Sequence, residues 1–174
     1  MPQRPGLFRR RRSPGLPPDV EAGLALVHSE RVLASAPVTG GGWVVATDHA
    51  LHTGGVRLPW SCVVHAAWER ADDTLVVETV AGEPGVAAAT RRLPLDEPGS
   101  VPAVVRERVM DSIVVTHRVQ LTGSAGVRVV ARRIPGSAEL AWQLVLDEGL
   151  DPTDPQLRAG AQAALDSVRA STGL

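Results

Sequence analysis

The side chains best suited to metal or acid–base chemistry lie close together in this sequence, at Asp48, His49 and His52. Carboxylate and imidazole groups are common metal ligands, so this spacing first suggests a metal site. His49 is expected in a turn and His52 in the strand that follows, where a separation of three residues directs two side chains to opposite faces. We therefore predict no metal site here and no cofactor for the protein.

Potential nucleophiles and bases elsewhere also have structural explanations. Cys62 follows Ser61 without a recognisable nucleophile motif, and we predict that it packs as a small hydrophobic residue on a strand. His65 and His117 fall in predicted strands, where we expect hydrogen-bonded side chains that are buried or half-buried. The sequence contains no G-x-S-x-G elbow, phosphate-binding loop or dinucleotide fingerprint. These observations predict a protein that is not an enzyme.

Short strands and tight turns position these residues. Residues 40–69 hold three of the four tryptophans, a Thr47-Asp48 turn and a Gly54-Gly55 turn. Alternating apolar and polar residues between such turns are typical of antiparallel strands. The tryptophans are expected in the core, although one of them could line a ligand groove. Strands are predicted at residues 32–38, 43–47, 50–53, 62–69, 75–79, 90–95, 113–121, 127–134 and 140–146.

Three helices complete the predicted fold. Asp19 is expected to cap a helix that extends to about residue 29, Ser100 caps the second, and Asp154 opens the third. Because helices do not alternate with the strands, parallel βαβ units are not expected. The predicted fold class is α+β, mostly β: an antiparallel barrel or sandwich with a mid-chain helix and a C-terminal helix.

The N-terminal segment differs in composition from the rest of the chain. Residues 1–18 are rich in Pro and contain five Arg and no acid, a charge of +5, whereas the remaining 13 Arg face 19 Asp and Glu, a charge of −6. The segment has little apolar area to bury, so we predict that it is disordered. Residues 19–174 are then predicted to form a single domain.

The same segment carries the predicted contact residues, which are Phe8, Arg9, Arg10, Arg11 and Arg12. Phe8 beside the arginines could attach weakly to an anionic membrane, since each basic residue contributes about 1 kcal/mol at such a surface. The arginines could also contact nucleic-acid phosphates, with a steep dependence on salt. The acidic body argues against nucleic acid as the main partner.

The sequence also predicts a compartment. Cys62 is the only cysteine, so the chain can form no intramolecular disulfide, which indicates a reducing environment. The longest apolar run near the N-terminus, at residues 22–27, is too short for a signal-peptide core. No apolar stretch reaches the length of a membrane span. We predict a cytoplasmic protein.

A short pattern of residues lies between positions 43 and 60. Thr47-Asp48 is followed by Leu51, and Arg57-Leu58-Pro59-Trp60 then precedes the apolar pair Val63-Val64. This pattern resembles bacterial PH-like and GRAM-like domains, which often show a T-D-x-x-L step and then a step ending in P-W.

The chain has a second resemblance. It looks like small uncharacterised actinobacterial proteins that carry LDEPG and VVRERV stretches, here at residues 95–99 and 104–109. The PH-like resemblance implies a core at about residues 31–112, closed by the helix that begins after Ser100. Residues 113–174 would then add a β-meander and a helix.

The PH-like resemblance also implies a function. Such domains bind lipids, peptides or other proteins and usually lack catalysis, so we expect an interaction module that engages a protein partner or a membrane surface. Two alternatives stay open. One is a nucleic-acid-associated protein that acts through its Arg-rich segment, and the other is a small enzyme or ligand carrier with a pocket at the mouth of the barrel.

Overall fold

The computed structural model describes residues 15–82 and 85–173. It divides the chain into two compact units, Met1–Val109 and Met110–Leu174. Antiparallel sheets dominate both units, and each unit has its own hydrophobic cluster.

The predicted contact residues of the N-terminal segment, Phe8, Arg9, Arg10, Arg11 and Arg12, lie outside the described residues. The membrane and nucleic-acid contacts of that segment stay predictions, as does its disorder. The assignment of residues 19–174 to one domain also stays a prediction.

The first unit opens with a short helix and a four-stranded sheet. After α1 (Pro18–Ala22), four antiparallel strands pair in their chain order. Gly54 and Gly55, with φ of 55° and 75°, make the two-residue turn of the last hairpin, where positive φ favours glycine. The strands are β1 (Val32–Pro37), β2 (Trp43–Thr47), β3 (Ala50–Thr53) and β4 (Val56–Pro59).

A three-stranded sheet and a helix complete the first unit. A single 3₁₀ turn, Trp60–Cys62, leads into strands that also pair in chain order. The helix that follows, α2 (Val101–Asp111), buries Val101, Val105 and Val109, as its apolar stripe predicts. The strands are β5 (Val63–Glu69), β6 (Thr74–Thr79) and β7 (Ala89–Pro94).

One hydrophobic core joins these two sheets and α2. It contains Leu51 and Leu58 from the first sheet, Leu75 from the second, and Trp60 from the turn between them. Trp60 is only 1% exposed. The arrangement is sandwich-like, and in the described residues the two sheets do not close into a single barrel. The predicted fold class, an α+β and mostly β antiparallel structure, is confirmed.

The second unit is a three-stranded sheet covered on one face by a helix. The sheet contains β8 (Ile113–Thr122), β9 (Ala125–Arg133) and β10 (Leu140–Leu146), with β9 in the centre. Asp154 caps α3 (Pro155–Thr172), because its carboxylate accepts the Gln156 N–H at 2.8 Å. The buried residues of α3 are Ala161, Ala164, Leu165 and Val168.

Helix α1 is much shorter than predicted. It ends at Ala22 instead of near residue 29, and Pro17 stands at the N-cap position where Asp19 was expected. Gly23 ends the helix, and Ser29 has a positive φ of 66°, which no helix accommodates. Residues 24–31, which we call the arm, have no regular secondary structure.

The strand predicted at residues 62–69 begins one residue late. Cys62 belongs to the 3₁₀ turn, and the register of β5 against β6 shifts between Val63 and His65. Such a bulge changes which side chains share a face, and Cys62 and Val63 both reach the core. Trp68 packs against the same core.

The burial predicted for two histidines is also wrong. His65 and His117 are both exposed. They lie on β5 and β8, which are edge strands of their sheets in the described residues. An edge strand has a neighbour on one side only, so its side chains are less covered than those of a central strand.

Gly126 in β9 gives a stability prediction for the second unit. A Cβ on Gly126 would lie 2.2 Å from the Val119 carbonyl oxygen, which belongs to the backbone and cannot easily move. We expect Gly126→Ala to lower the free energy of unfolding by about 1–3 kcal/mol. Urea denaturation of the full chain followed by circular dichroism measures this change.

Gly160→Ala is the matched control in the same unit. Its Cβ would lie 3.2 Å from Leu121 Cδ2, the end of a flexible side chain, and alanine favours the helix by up to about 1 kcal/mol. Equal unfolding midpoints for Gly126→Ala and Gly160→Ala would contradict the prediction.

Candidate functional site

Three polar residues share the face of the first sheet that points away from the hydrophobic core. Thr47, His52 and Arg57 lie on β2, β3 and β4. His52 is in register with both Val45 and Arg57, so these side chains project from the same side. Leu51 projects from the other side into the core. We call the first surface the outer face of the sheet.

The arm brings a carboxylate onto the outer face. The N–H of Glu30 donates to the Val27 carbonyl at 3.0 Å, which closes a turn at the end of the arm. The next residue, Arg31, donates its N–H to Asp48 Oδ1 at 2.7 Å and its Nε–H to Oδ2 at 3.2 Å. These contacts attach the end of the arm to the turn between β2 and β3.

The Thr47-Asp48 pair therefore has a structural role. Thr47 Oγ1 accepts the N–H groups of His49 at 3.1 Å and Ala50 at 2.8 Å, and this stabilises the turn. The Trp60 indole N–H donates to the Thr47 carbonyl at 3.0 Å. The turn is thus tied to the core on one side and to the arm, through Asp48, on the other.

Glu30 is the most enclosed ionisable group of this region, since its side chain is 0% exposed. Its Oε1 accepts hydrogen bonds from Thr47 Oγ1 at 2.5 Å and His52 Nε2 at 3.0 Å. Its Oε2 accepts the Val27 N–H at 3.0 Å and lies 3.5 Å from Arg57 Nη2. A carboxylate offers about four lone-pair sites, and four donors surround this one.

These contacts keep Glu30 ionised. Burial raises the pKa of a carboxylic acid, but the hydrogen bonds from His52, Thr47 and Val27, together with the charge of Arg57, outweigh burial and lower the pKa of Glu30 to about 2. Because an ionised carboxylate only accepts hydrogen bonds, the proton of the His52 contact lies on Nε2. The cluster is a buried ionic contact that holds the arm on the sheet.

A cleft of about 320 Å³ opens beside this cluster. One wall is formed by α1 and the start of the arm, and the other by β2 and the β3–β4 hairpin. The volume lies at the lower end of the range for ligand pockets. The apolar lining residues include Val20, Leu24, Trp43, Val45 and Val56, and the polar ones are Asp19, His52, Thr53 and Arg57.

Arg57 has N–H donors at this cleft that make no hydrogen bond in the described structure. Its side chain is 27% exposed, and its contact with Glu30 is long, at 3.5 Å. Arg57 Nε is enclosed and has no hydrogen-bond partner. An arginine carries five N–H donors in a fixed fork that matches a carboxylate or phosphate. The present contacts use little of that capacity.

The residues predicted from sequence occupy different places. His52 lies in the cluster, whereas Cys62 and Ser61 are each 2% exposed and Cys62 packs in the core. In the part of the chain that the structure describes, no three His, Cys, Asp or Glu side chains are grouped as metal ligands. The described residues that line the cleft include no serine or cysteine, and Thr53 carries their one hydroxyl group.

No protein-family model, curated protein or solved structure matches this chain. Among the residues that the structure describes, no helix is both long enough and apolar enough to cross a membrane. Function therefore has to be inferred from the geometry of the site itself.

Sequence reasoning missed two residues of this site. Glu30 had no assigned role, because the arm was expected to be helical up to residue 29. Arg57 was noted only as part of the PH-like pattern. One signal was present: β2 carries apolar Trp43 and Val45 on the face opposite Val44, which indicates that both faces of the sheet are covered.

Proposed function

We propose that the first unit is a non-enzymatic, PH-like interaction module that binds a protein partner in the cleft between α1 and the β3–β4 hairpin. The observation that carries the proposal is the cleft itself, where apolar walls meet a few convergent polar groups, as ligand sites commonly do. Trp43 contributes the large aromatic surface that is enriched at protein interfaces. The cytoplasm is the proposed compartment, in keeping with the single cysteine.

The order of elements supports the PH-like part of the proposal. The sequence resemblance implies a β core closed by a helix that begins after Ser100, and α2 begins there and packs on the core that the two sheets share. Fold by itself does not determine function, so the binding activity rests on the cleft.

The state of Glu30 supports a role without catalysis. A general acid or base works best with a pKa near the ambient pH, and the pKa of Glu30 lies far below it, at about 2, because hydrogen bonds and Arg57 outweigh the effect of burial. Its oxygens are occupied by the arm, by Thr47 and by His52. The strongest ionic cluster of the cleft therefore serves to hold its wall in place.

A small-molecule carrier is the second candidate function. It is favoured by the modest volume of the cleft and by the convergence of His52, Thr53 and Arg57 on it. This candidate predicts that a free small molecule, and not a peptide, fills the cleft.

Selection from a random peptide library displayed with free carboxyl termini tests the proposal. The bait is the full chain, either unchanged or with Val20→Glu, which places a negative charge on the apolar wall of the cleft. Val27→Glu is the matched control, because Val27 lies on the arm, is 45% exposed and does not line the cleft. We expect peptides that bind the unchanged chain and the Val27→Glu chain but not the Val20→Glu chain.

Two results would overturn the proposal. One is a selection that yields no binding peptide. The other is a set of peptides that bind the Val20→Glu chain as well as the unchanged chain, which would place binding elsewhere.

A further inference from the structure

We infer that the cleft recognises the free carboxyl terminus of a partner peptide whose last side chain is apolar, and that Arg57 binds the terminal carboxylate. The inference rests on the proposed function, since it takes the cleft to be the binding site. It adds the chemistry that the partner must present there.

The first support is the unused donor capacity of Arg57. The guanidinium lines the cleft, and its one hydrogen-bonding contact in the described structure is the long 3.5 Å approach to Glu30. Because Nε is enclosed, a ligand in the cleft reaches the guanidinium through its two Nη groups, which carry four N–H donors. A carboxylate that enters the cleft supplies two acceptor oxygens in the geometry that arginine prefers.

The second support is the placement of charge. Glu30 lies behind the cleft, fully enclosed and surrounded by donors, so it presents no open anionic surface to a ligand. Arg57 is the only basic residue except His52 among the described lining residues. An anionic group entering from solvent therefore finds its complement at Arg57, and Asp19 on the α1 wall is the one carboxylate among the described lining residues.

The third support is the apolar lining. Leu24, Trp43 and Val56 line the same cleft as Arg57. A ligand with a carboxylate and an adjacent apolar group satisfies both parts of the cleft, whereas inorganic phosphate leaves the apolar part hydrated. The carboxyl terminus of a peptide that ends in an apolar residue has this combination.

Asp19 favours a peptide over a free small acid. It lies on the α1 wall, faces the cleft and is exposed. Its carboxylate can accept the backbone N–H of a peptide, whereas it repels a small acid that has no donor of its own. A peptide terminus places its carboxylate and its N–H groups on one chain, so it can satisfy Arg57 and Asp19 together.

The experiment compares each selected peptide, synthesised with an N-terminal fluorescent label, as a free acid and as a C-terminal amide. Fluorescence anisotropy measures its binding to the full chain. The free acid is expected to bind at least about tenfold more tightly than the amide, since a charge-assisted hydrogen bond is lost on amidation. With Arg57→Gln, the acid and the amide are expected to bind equally.

Two further variants separate binding from stability. Arg57→Lys keeps the positive charge but removes the planar guanidinium with its paired N–H donors, so it should retain part of the preference for the acid. Arg91→Gln removes an arginine from β7, outside the cleft lining, and should leave the preference unchanged. Thermal denaturation of each variant confirms that it is folded at the temperature of the binding measurement.

The outcomes are distinguishable. Equal binding of acid and amide to the unchanged chain, or an undiminished preference in Arg57→Gln, would overturn the inference but leave the proposed function standing. Failure to select any peptide would overturn both. If inorganic phosphate displaces the labelled peptide at the same concentration as the unlabelled peptide does, the cleft is a general anion site. If phenylbutyrate does so, the cleft is a site for small organic acids. Either of these last two results would overturn the peptide assignment.

Discussion

Replacing Glu30 by alanine is expected to lower the free energy of unfolding of the first unit by about 3–5 kcal/mol, the cost of removing one partner from a buried ionic contact. The substitution leaves His52 Nε2 and the Val27 N–H without the acceptor that they share. It also releases the arm, which forms part of one wall of the cleft. Urea denaturation followed by tryptophan fluorescence is the measurement, since three of the four tryptophans lie in this unit.

Glu21→Ala is the matched control for this prediction. Glu21 is an exposed carboxylate in α1, and the hydrogen-bonding cluster does not include it. Its replacement should change the free energy of unfolding by no more than about 0.5 kcal/mol. A Glu30→Ala protein as stable as the Glu21→Ala protein would show that the buried cluster does not hold the arm.

The same carboxylate is expected to make stability depend on pH in the acid range. The pKa of Glu30 is about 2 in the folded chain, against an ordinary value of 4.5 for a glutamate side chain, because hydrogen bonds and the charge of Arg57 outweigh the effect of burial. A lowered pKa means that the unfolded chain binds more protons, so the folded chain loses stability as the pH falls. The contribution of Glu30 to the free energy of unfolding is about 3 kcal/mol; it is complete above about pH 4.5 and decreases toward pH 2.

Comparison with Glu30→Gln isolates this effect. The amide has nearly the shape of the acid but does not titrate, so the stability advantage of the unchanged chain should shrink by about 3 kcal/mol between pH 6 and pH 2. Hydrogen bonds from Arg118 and the Gly126 N–H also lower the pKa of Asp147. Because Asp147 is present in both proteins, its contribution to the pH dependence of stability cancels in the comparison. A difference between the two proteins that stays constant across this pH range would contradict the assignment of Glu30.

The buried cluster suggests why the chain keeps a charged residue in an enclosed place. A well-packed apolar group could cover the outer face of the sheet at a similar stability, because a buried ion pair contributes little beyond its own desolvation cost. Hydrogen bonds from three directions, however, fix one position for Glu30 and therefore one path for the arm. The α1 wall of the cleft is defined by that path.

Much of the fold could be predicted from local patterns. Trp43–Thr47, Ala50–Thr53 and Leu140–Leu146 have the predicted bounds, since alternation and flanking turn residues act within a few positions of the chain. The Asp154 cap and the Gly54-Gly55 turn were also local signals. Such features depend on backbone geometry that neighbouring residues set by themselves.

The candidate site could not be predicted in the same way. Glu30 meets Thr47, His52 and Arg57, which are 17, 22 and 27 positions away. Glu30 is enclosed because the strand register places those three side chains together, and the local sequence around Glu30 does not contain that register. The helix predicted to residue 29 is wrong for a different, local reason, because Gly23 ends α1 and Ser29 has a positive φ.

The sequence by itself determined most of the antiparallel strands, though not β4, and the helices that begin at residue 101 and residue 155, because periodicity and capping are local properties of the chain. Only the tertiary structure decided that the arm is held on the outer face of the sheet, that Glu30 is buried and ionised, and that Arg57 faces a cleft with donors unused. Those features arise where segments far apart in sequence exclude water together, and no single segment specifies the environment that results.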